Sequence, residues 1–342
     1  MLNPPAGLSE AELRAGLAGW GRPVAELEYV PVGFGTHHWT AVDPSGGRWF
    51  VNVDDLAGRK LRADEPSSEP LHRLRSALSV PRALCDLGYE FPVAPEPDRD
   101  GRVVRTLGAD GGYALSVYPH VSGQSFSWAA DGWSSAQVVP EHLTAVLDIL
   151  AALHCAPPEA RAEARTDDFE IPVRDVLEQA MAGPAEAPGA PGPEHGPFAR
   201  PAGQLVAEHA DLLGRRLARY DELAAHGRSQ AARFVLTHGE PHPGNTMRGP
   251  DGYLLIDWDT VAVAPPERDL WSFTAEMVER YTARSGIEVD PALLDLYRLR
   301  WDLTDIALYV AQFHAAHSDS PNEAASWANL VGTVGNLAAT HR

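Results

Sequence analysis

In the first third of the chain, stretches with alternating apolar positions lie beside stretches with helical spacing. Ser9 and Glu12 form a capping-box pattern that opens an amphipathic helix through Leu13 and Leu17. The apolar pattern then predicts a strand pair, a helix and two more strands, in residues 38–42, 48–53, 71–87, 102–105 and 113–118. This order of elements predicts a small lobe with a mixed β-sheet.

Helical spacing dominates the rest of the chain. Pro140, a favourable first-turn residue, opens a stretch with an apolar side chain at every third or fourth position. Residues 183–196 are rich in Pro, Gly and Ala, and they predict a mobile surface loop. Helical spacing returns in residues 204–220, 269–281 and 292–314. The pattern divides the chain into a small lobe, residues 1–121, and a larger, mainly helical lobe, residues 122–342.

The composition is that of an acidic globular protein. Of 342 residues, 44% are apolar and 22% charged, and the formal net charge is -19. No stretch is apolar enough for a membrane span, the N-terminus lacks the pattern of an export signal, and the two cysteines lack zinc-type spacing. We therefore expect a soluble, cytoplasmic protein. Its charge argues against a nucleic-acid partner and suits a cationic ligand, although solubility alone is a sufficient reason for acidity.

Two acidic motifs carry the candidate chemistry. After an apolar strand at residues 234–237, a loop contains a carboxylate at Glu240 and a carboxamide at Asn245, and a second apolar strand ends in Asp257. Phosphoryl transfer needs one carboxylate to orient the attacking hydroxyl, and amide and carboxylate oxygens to hold Mg²⁺ on the nucleotide phosphates. The spacing provides all three groups.

The segment H-G-E-x-H-x-G-N at residues 238–245, followed by I-D-W-D at residues 256–259, resembles the aminoglycoside phosphotransferase family. That family includes spectinomycin-type and choline-kinase-like relatives. The resemblance extends to residues 33–35, 118–123 and 265–270, and so covers most of the chain. It implies an α+β, protein-kinase-like fold with a small β-sheet lobe and a larger helical lobe.

The resemblance also implies roles for the motif residues. Asn245 and Asp257 would bind Mg²⁺, and Glu240 would be the catalytic carboxylate. His238 and Asp269 would brace the loop without taking part in the chemistry.

A second group of residues would bind the phosphoryl donor, ATP or GTP. The turn with Gly33 and Gly35 resembles the nucleotide-covering loop, although two glycines in a hairpin are often only a turn. Backbone groups near Tyr118 and His120 would face the base at the hinge between the lobes.

Two positions depart from the family's pattern. Asn52 stands where relatives have a phosphate-binding lysine, and the predicted helix at residues 71–87 lacks the glutamate that pairs with it. Alternation places Asn52 on the same face as Phe50, so it can point into the cleft without supplying charge. Glu65 and Glu69 precede the helix as possible partners, and three cations follow the strand and can compensate in part: Arg59, Lys60 and Arg62. Glu240 replaces the usual aspartate, which preserves the charge but lengthens the side chain.

Three functions remain open at this stage. The first is a phosphotransferase that acts on a hydroxyl of a small molecule, such as a cationic antibiotic or related metabolite. The second is a nucleotide-binding or regulatory protein with weak or no transfer, which Asn52 favours. The third is a kinase of a Ser or Thr in a biosynthetic peptide, held in part by residues 183–196. Candidate substrate residues are Asp302, Asp305 and Glu323, although carboxylates three apart on a helix often form a solvated face.

Overall fold

The structure is a computed structural model that describes residues 1–5, 7–33, 35–62, 64–127, 132–135, 137–183 and 195–339. Most of the loop predicted at residues 183–196 lies outside the described residues.

A five-stranded antiparallel sheet forms the N-terminal lobe, with strand order β1-β2-β3-β5-β4. Its strands are β1 (Glu26–Val30), β2 (Thr36–Val42), β3 (Arg48–Asp55), β4 (Arg105–Leu107) and β5 (Tyr113–Pro119). Helix α1 (Glu10–Leu17) begins with the predicted capping box, in which Ser9 and Glu12 bond each other's backbone N–H.

The two faces of this sheet have different roles. Val51 and Val53 of β3 are buried against Leu13 and Leu17 of α1. The alternate residues of β3 point to the other face, where Asn52 lies between His38 of β2 and Ser116 of β5. The predicted register of β3 is therefore observed, and Asn52 shares its face with Phe50.

Helices make up most of the C-terminal lobe. Helix α2 (Ser68–Asp86) lies earlier in the chain and connects the third and fourth strands of the N-terminal sheet. The helices of the C-terminal lobe are α3 (Pro140–His154), α4 (Arg174–Ala182), α5 (Ala199–Glu208), α6 (Ala210–Ser229), α7 (Ala275–Ser285), α8 (Pro291–His314) and α9 (Pro321–Ala339). Short strands pair between them as β6-β8-β9 and β7-β10: β6 (Gln124–Ser125), β7 (Val235–Thr237), β8 (Thr246–Arg248), β9 (Tyr253–Leu255) and β10 (Ala262–Ala264).

Several boundaries differ from the sequence predictions. The strand predicted at residues 102–105 begins only at Arg105, because the Asp98 side chain accepts the Arg102 backbone N–H and closes a turn. The helix predicted at residues 204–220 is divided at His209 into α5 and α6. The helix predicted at residues 269–281 begins only at Ala275, after the Thr274 side chain caps it.

One hydrophobic cluster connects the two lobes. Leu84 of α2 packs with Leu150 of α3, Leu255 of β9 and the fully buried Trp258. Phe91, just after α2, accepts the Leu255 backbone N–H at 2.8 Å. This shared core fixes the segment after β9 relative to the N-terminal lobe. Among the described residues, no helix is long and apolar enough to cross a membrane.

Candidate active site

A buried carboxylate anchors the loop that follows β7. Asp269 accepts the backbone N–H groups of His238 at 2.8 Å and of Gly239 at 2.6 Å. Its Oδ2 atom also lies 3.0 Å from Nε2 of His154, whose Nδ1 contacts the Tyr281 hydroxyl at 2.5 Å. Gly239 has a φ of 102°, and a Cβ there would collide with the Arg268 guanidinium, so the turn requires glycine.

The hydrogen bonds keep Asp269 ionised despite its burial. Burial alone would raise the pKa of Asp269. The hydrogen bond from His154 and the nearby His154, His238 and Arg268 side chains outweigh burial, so its pKa lies below the ordinary value. The carboxylate therefore carries its negative charge where the loop's N–H groups converge.

His238 links the loop to the segment of the second motif. Its Nε2 lies 2.9 Å from the Ile256 carbonyl oxygen, and its Nδ1 accepts the Glu240 backbone N–H at 3.3 Å. The Trp258 ring packs edge-on, with ring centroids 4.8 Å apart. Burial lowers the pKa of His238 to about 4, so the ring is neutral, with Nε2 donating and Nδ1 accepting. The position of Asp257 thus depends on the conformation of the catalytic loop.

Asn245 is oriented by the loop itself. Its Nδ2 donates to the Glu240 carbonyl oxygen at 3.0 Å, which leaves the amide Oδ1 as the atom available to a metal ion. The Asn245 carbonyl oxygen accepts the Ile256 backbone N–H at 2.9 Å, which brings the residue close to the end of β9.

Asp257 has a left-handed backbone, with a φ of 64° that is uncommon for a residue other than glycine. Its side chain reaches solvent, yet both lobes surround it. The surrounding protein, and then the negative charges of Asp259 and Glu240, raise the pKa of Asp257 well above its ordinary value. A cation bound beside these carboxylates would relieve their mutual repulsion.

The oxygen donors at this position fit Mg²⁺. Mg²⁺ is commonly held by one or two protein carboxylates, while water and substrate phosphates complete its six positions. One carboxylate from Asp257 and one amide oxygen from Asn245 match that pattern. Among the described residues, no group of three or more His, Cys, Asp or Glu side chains is arranged to hold a metal ion. Water and phosphate oxygens would therefore complete the coordination of a bound Mg²⁺.

Glu240 lies in the same acidic cluster. Burial within the cleft, followed by the charges of Asp259 and Asp305, raises the pKa of Glu240 to about 7, although Arg268 and Arg59 oppose the shift. Glu240 can therefore exchange a proton near neutral pH.

The predicted nucleotide residues belong to the N-terminal sheet and the loops beside it. Gly33 and Gly35, in the loop between β1 and β2, have φ values of 71° and 82°. The buried Tyr118 lies on the face of the sheet that carries Asn52, and His120 follows the end of β5. Burial and the nearby carboxylates Asp54, Asp257 and Asp259 raise the pKa of Tyr118, so its hydroxyl stays protonated.

No lysine–glutamate pair forms between β3 and α2 in the described part of the chain. The Asn52 Oδ1 lies 2.8 Å from Nδ1 of His38. Glu65 instead binds Arg73, and Glu69 lies 3.8 Å from Arg165. Neither glutamate is therefore a partner for position 52.

An ion-pair cluster that the sequence analysis did not anticipate lies at the end of β3. Arg59 contacts Asp54 of β3 and Asp259 of the second motif, 200 residues away in sequence. Asp259 was part of the recognised motif, but nothing in the pattern showed what it would bind. The two-residue period of a β-strand places Asp54 on the same face as Asn52. That period was the sequence signal from which a role for Asp54 beside the predicted site could have been inferred.

The three candidate substrate residues have different environments. Asp302 and Asp305 of α8 are half-buried, and neither forms a hydrogen bond or ion pair with the described residues. Burial raises the pKa of Asp302 to about 6, and burial with the adjacent Asp302 charge raises that of Asp305 to about 7. Glu323 instead accepts a hydrogen bond from the Ser320 hydroxyl in the first turn of α9.

Comparisons with known proteins agree with this geometry. A model of the phosphotransferase enzyme family matches residues 26–309. Protein StrN from Streptomyces griseus is 31% identical over 265 residues, which cover 75% of each chain.

Solved structures share the fold at low sequence identity. The spectinomycin phosphotransferase complex with ADP and spectinomycin has a TM-score of 0.69 and 16% identity, and the match covers 98% of this chain and 99% of that one. The choline kinase LicA from Streptococcus pneumoniae has a TM-score of 0.57 and 14% identity, with 96% and 99% covered. The predicted kinase-like, two-lobed α+β fold is confirmed.

Replacing Asp269 by Asn should lower the free energy of unfolding by about 2 kcal/mol at neutral pH, because an amide nitrogen would face a buried N–H donor. The folded-state pKa of Asp269 lies below the unfolded value, so its stabilisation is present above about pH 4 and is lost as pH falls through the folded pKa. The difference between the two proteins should therefore narrow in acid.

Urea unfolding between neutral and acidic pH measures this difference. Asp295→Asn, an exposed change on α8, is the matched control and should leave stability nearly unchanged. Equal stability of Asp269→Asn and wild type at neutral pH would contradict the bracing role.

Proposed function

The chain belongs to the phosphotransferase enzyme family, and we propose that it transfers the γ-phosphoryl group of ATP or GTP to a hydroxyl of a small, cationic molecule. One observation carries the proposal: Glu240 lies on the loop that orients the Asn245 amide, while His238 of that loop bonds the residue before Asp257. These are the three groups that phosphoryl transfer requires.

In this proposal each residue has one task. Glu240 orients the acceptor hydroxyl and takes its proton, for which a pKa of about 7 is well suited. Asn245 and Asp257 hold Mg²⁺, which when bound neutralises charge on the phosphates. His238 stays neutral and, together with Asp269, keeps the loop in place.

The acceptor is inferred from the charge on α8. Asp302 and Asp305 form no ion pair within the described ranges, although Arg216 lowers the pKa of Asp302, and Asp305 influences Glu240 electrostatically. A substrate amine beside these carboxylates would stabilise their ionised forms and bring a neighbouring hydroxyl toward Glu240. We propose that the acceptor is an amine-bearing antibiotic or related metabolite. Its phosphorylation would take place in the cytoplasm, where nucleoside triphosphates are plentiful.

A second candidate function is a nucleotide-binding protein with little transfer. The neutral Asn52, whose Oδ1 is engaged by His38, and the longer side chain of Glu240 favour it. Loss of one cationic donor to a transferring phosphoryl group costs about a hundred- to a thousandfold in rate. That slows catalysis without abolishing it, so turnover measurements separate the two functions.

Asp257→Ala should abolish the stabilisation that Mg²⁺ adds to nucleotide binding, because it removes the carboxylate ligand. Thermal unfolding with ATP or GTP, with and without Mg²⁺, measures the effect. Asp251→Ala, in an exposed turn before β9, is the control and should behave as wild type does. An unchanged Mg²⁺-dependent shift in Asp257→Ala would remove Asp257 from the metal site.

Glu240→Gln should retain nucleotide affinity but reduce phosphoryl transfer about a hundred- to ten-thousandfold, since the amide cannot accept the hydroxyl proton. Release of nucleoside diphosphate in the presence of an amine-bearing acceptor, with calorimetry for affinity, provides both readouts. Full turnover by this variant would exclude Glu240 as the catalytic carboxylate.

Asp305→Asn should weaken the binding of an amine-bearing acceptor about tenfold, because a charge-assisted hydrogen bond is lost. The N-acetylated form of the same compound should bind wild type and variant about equally, since it has no ammonium. Spectinomycin and other amine-bearing antibiotics are suitable first compounds. Asp295→Asn on the same helix is the control. Equal losses of affinity for the amine and for its acetylated form in Asp305→Asn would contradict the assignment of Asp305 as the residue that binds the amine.

A further inference from the structure

Arg59 is a cation from the N-terminal lobe that reaches the acidic cluster of the active site. Its Nη2 lies 2.6 Å from Asp54, 2.7 Å from Asp259 and 3.1 Å from the Thr36 hydroxyl. Its Nε donates to the same Asp54 oxygen at 3.1 Å. Asp259 lies two residues after Asp257, so the guanidinium is held beside the proposed Mg²⁺ segment.

One edge of this guanidinium remains available. A guanidinium has five N–H donors, on Nε, Nη1 and Nη2. The contacts with Asp54, Asp259 and Thr36 use Nε and Nη2, and Nη1 has no hydrogen-bond partner among the described residues. The Arg59 side chain is 25% exposed, so a ligand in the cleft can reach it. Each of the two N–H groups on Nη1 can donate to a phosphate oxygen.

Two of the three other cations in this region, Arg62 and Arg268, are engaged elsewhere. Arg62 is exposed and lies 3.2 Å from Glu170. Lys60 forms no ion pair within the described ranges. Arg268 donates to Thr237 and Thr260 beneath the catalytic loop. Arg59 differs from these cations because it contacts Asp259 of the second motif, two residues after Asp257.

We propose that Arg59, held by the buried Asp54, contacts the nucleotide phosphates in place of the lysine that is absent at Asn52. This inference rests on the proposed function, because it presupposes a nucleotide in the cleft. The Arg59–Asp54 pair has the charges of the missing lysine–glutamate pair, but it lies on β3 and the segment just after it. Its carboxylate is 4% exposed, which fixes the guanidinium more firmly than a surface partner would.

The contact with Asp259 gives Arg59 a second role, as a positioning residue. It connects β3 to the segment of Asp257 across the two lobes. Arg59 therefore sets the distance between the cleft face of the sheet and the proposed Mg²⁺ site. A purely structural role would affect every ligand in the cleft alike, whereas a phosphate contact affects only ligands that carry phosphates.

Calorimetry of a nucleotide and its nucleoside separates these roles. The ligands are ADP and adenosine, or GDP and guanosine if wild type prefers them, each with Mg²⁺. Arg59→Gln should weaken diphosphate binding about tenfold or more while nucleoside affinity changes less than about twofold. Arg62→Gln is the matched control and should leave both affinities unchanged.

A double variant that moves the positive charge from position 59 to position 52 completes the test. Asn52 shares a sheet face with Asp54, so Lys at position 52 can pair with Asp54 once Arg59 is removed. Arg59→Gln combined with Asn52→Lys should recover most of the diphosphate affinity.

The outcomes distinguish the inference from the proposed function on which it rests. Equal losses for diphosphate and nucleoside in Arg59→Gln, or no loss at all, would overturn the phosphate contact and leave the proposed function standing. Failure of the wild-type protein to bind either diphosphate would contradict the proposed function itself.

Discussion

The active site depends on one buried carboxylate. Asp269 accepts the N–H groups of two successive residues of the catalytic loop, and His154 of α3 completes its contacts. The first of those loop residues, His238, bonds the carbonyl oxygen that precedes Asp257. One ionised group in the helical lobe therefore holds both acidic motifs in place, although it is itself buried. Its burial makes that control strong, since unpaired donors there would have no water to replace it.

The elements that form this scaffold could be predicted because local rules dictate them. The Ser9 capping box and the apolar pair Leu13 and Leu17 predicted α1, and both leucines are buried. The alternation along β3 predicted the face on which Asn52 lies. The motif at residues 238–245 fixed the order of carboxylate and amide between two strands, and family resemblance supplied the fold.

Interactions between residues distant in sequence could not be predicted in this way. Arg59, Lys60 and Arg62 lie four to seven positions after the end of β3, and spacing does not show which of them turns toward Asp259. The turn closed by Asp98 shortened a predicted strand because a side chain took the place of a sheet partner. Sequence also does not show that Glu323, a substrate candidate, accepts a hydrogen bond from the hydroxyl of Ser320, just before α9.

The charge distribution around these motifs is compatible with phosphoryl transfer at a site that has no lysine at position 52. Carboxylates from four segments, Asp54, Glu240, Asp257 and Asp305, act on one another or on a shared neighbour. Burial first, and repulsion from neighbouring carboxylates second, raises the pKa of Glu240, Asp257 and Asp305. Such a site gains most from mobile cations, Mg²⁺ on one side and a substrate amine on the other. A lysine at position 52 would add positive charge on the sheet face that also carries Asp54. Arg59 contacts both Asp54 and Asp259, so a cation from the segment after β3 already joins that sheet face to the segment of Asp257, beside the carboxylates that phosphates would approach.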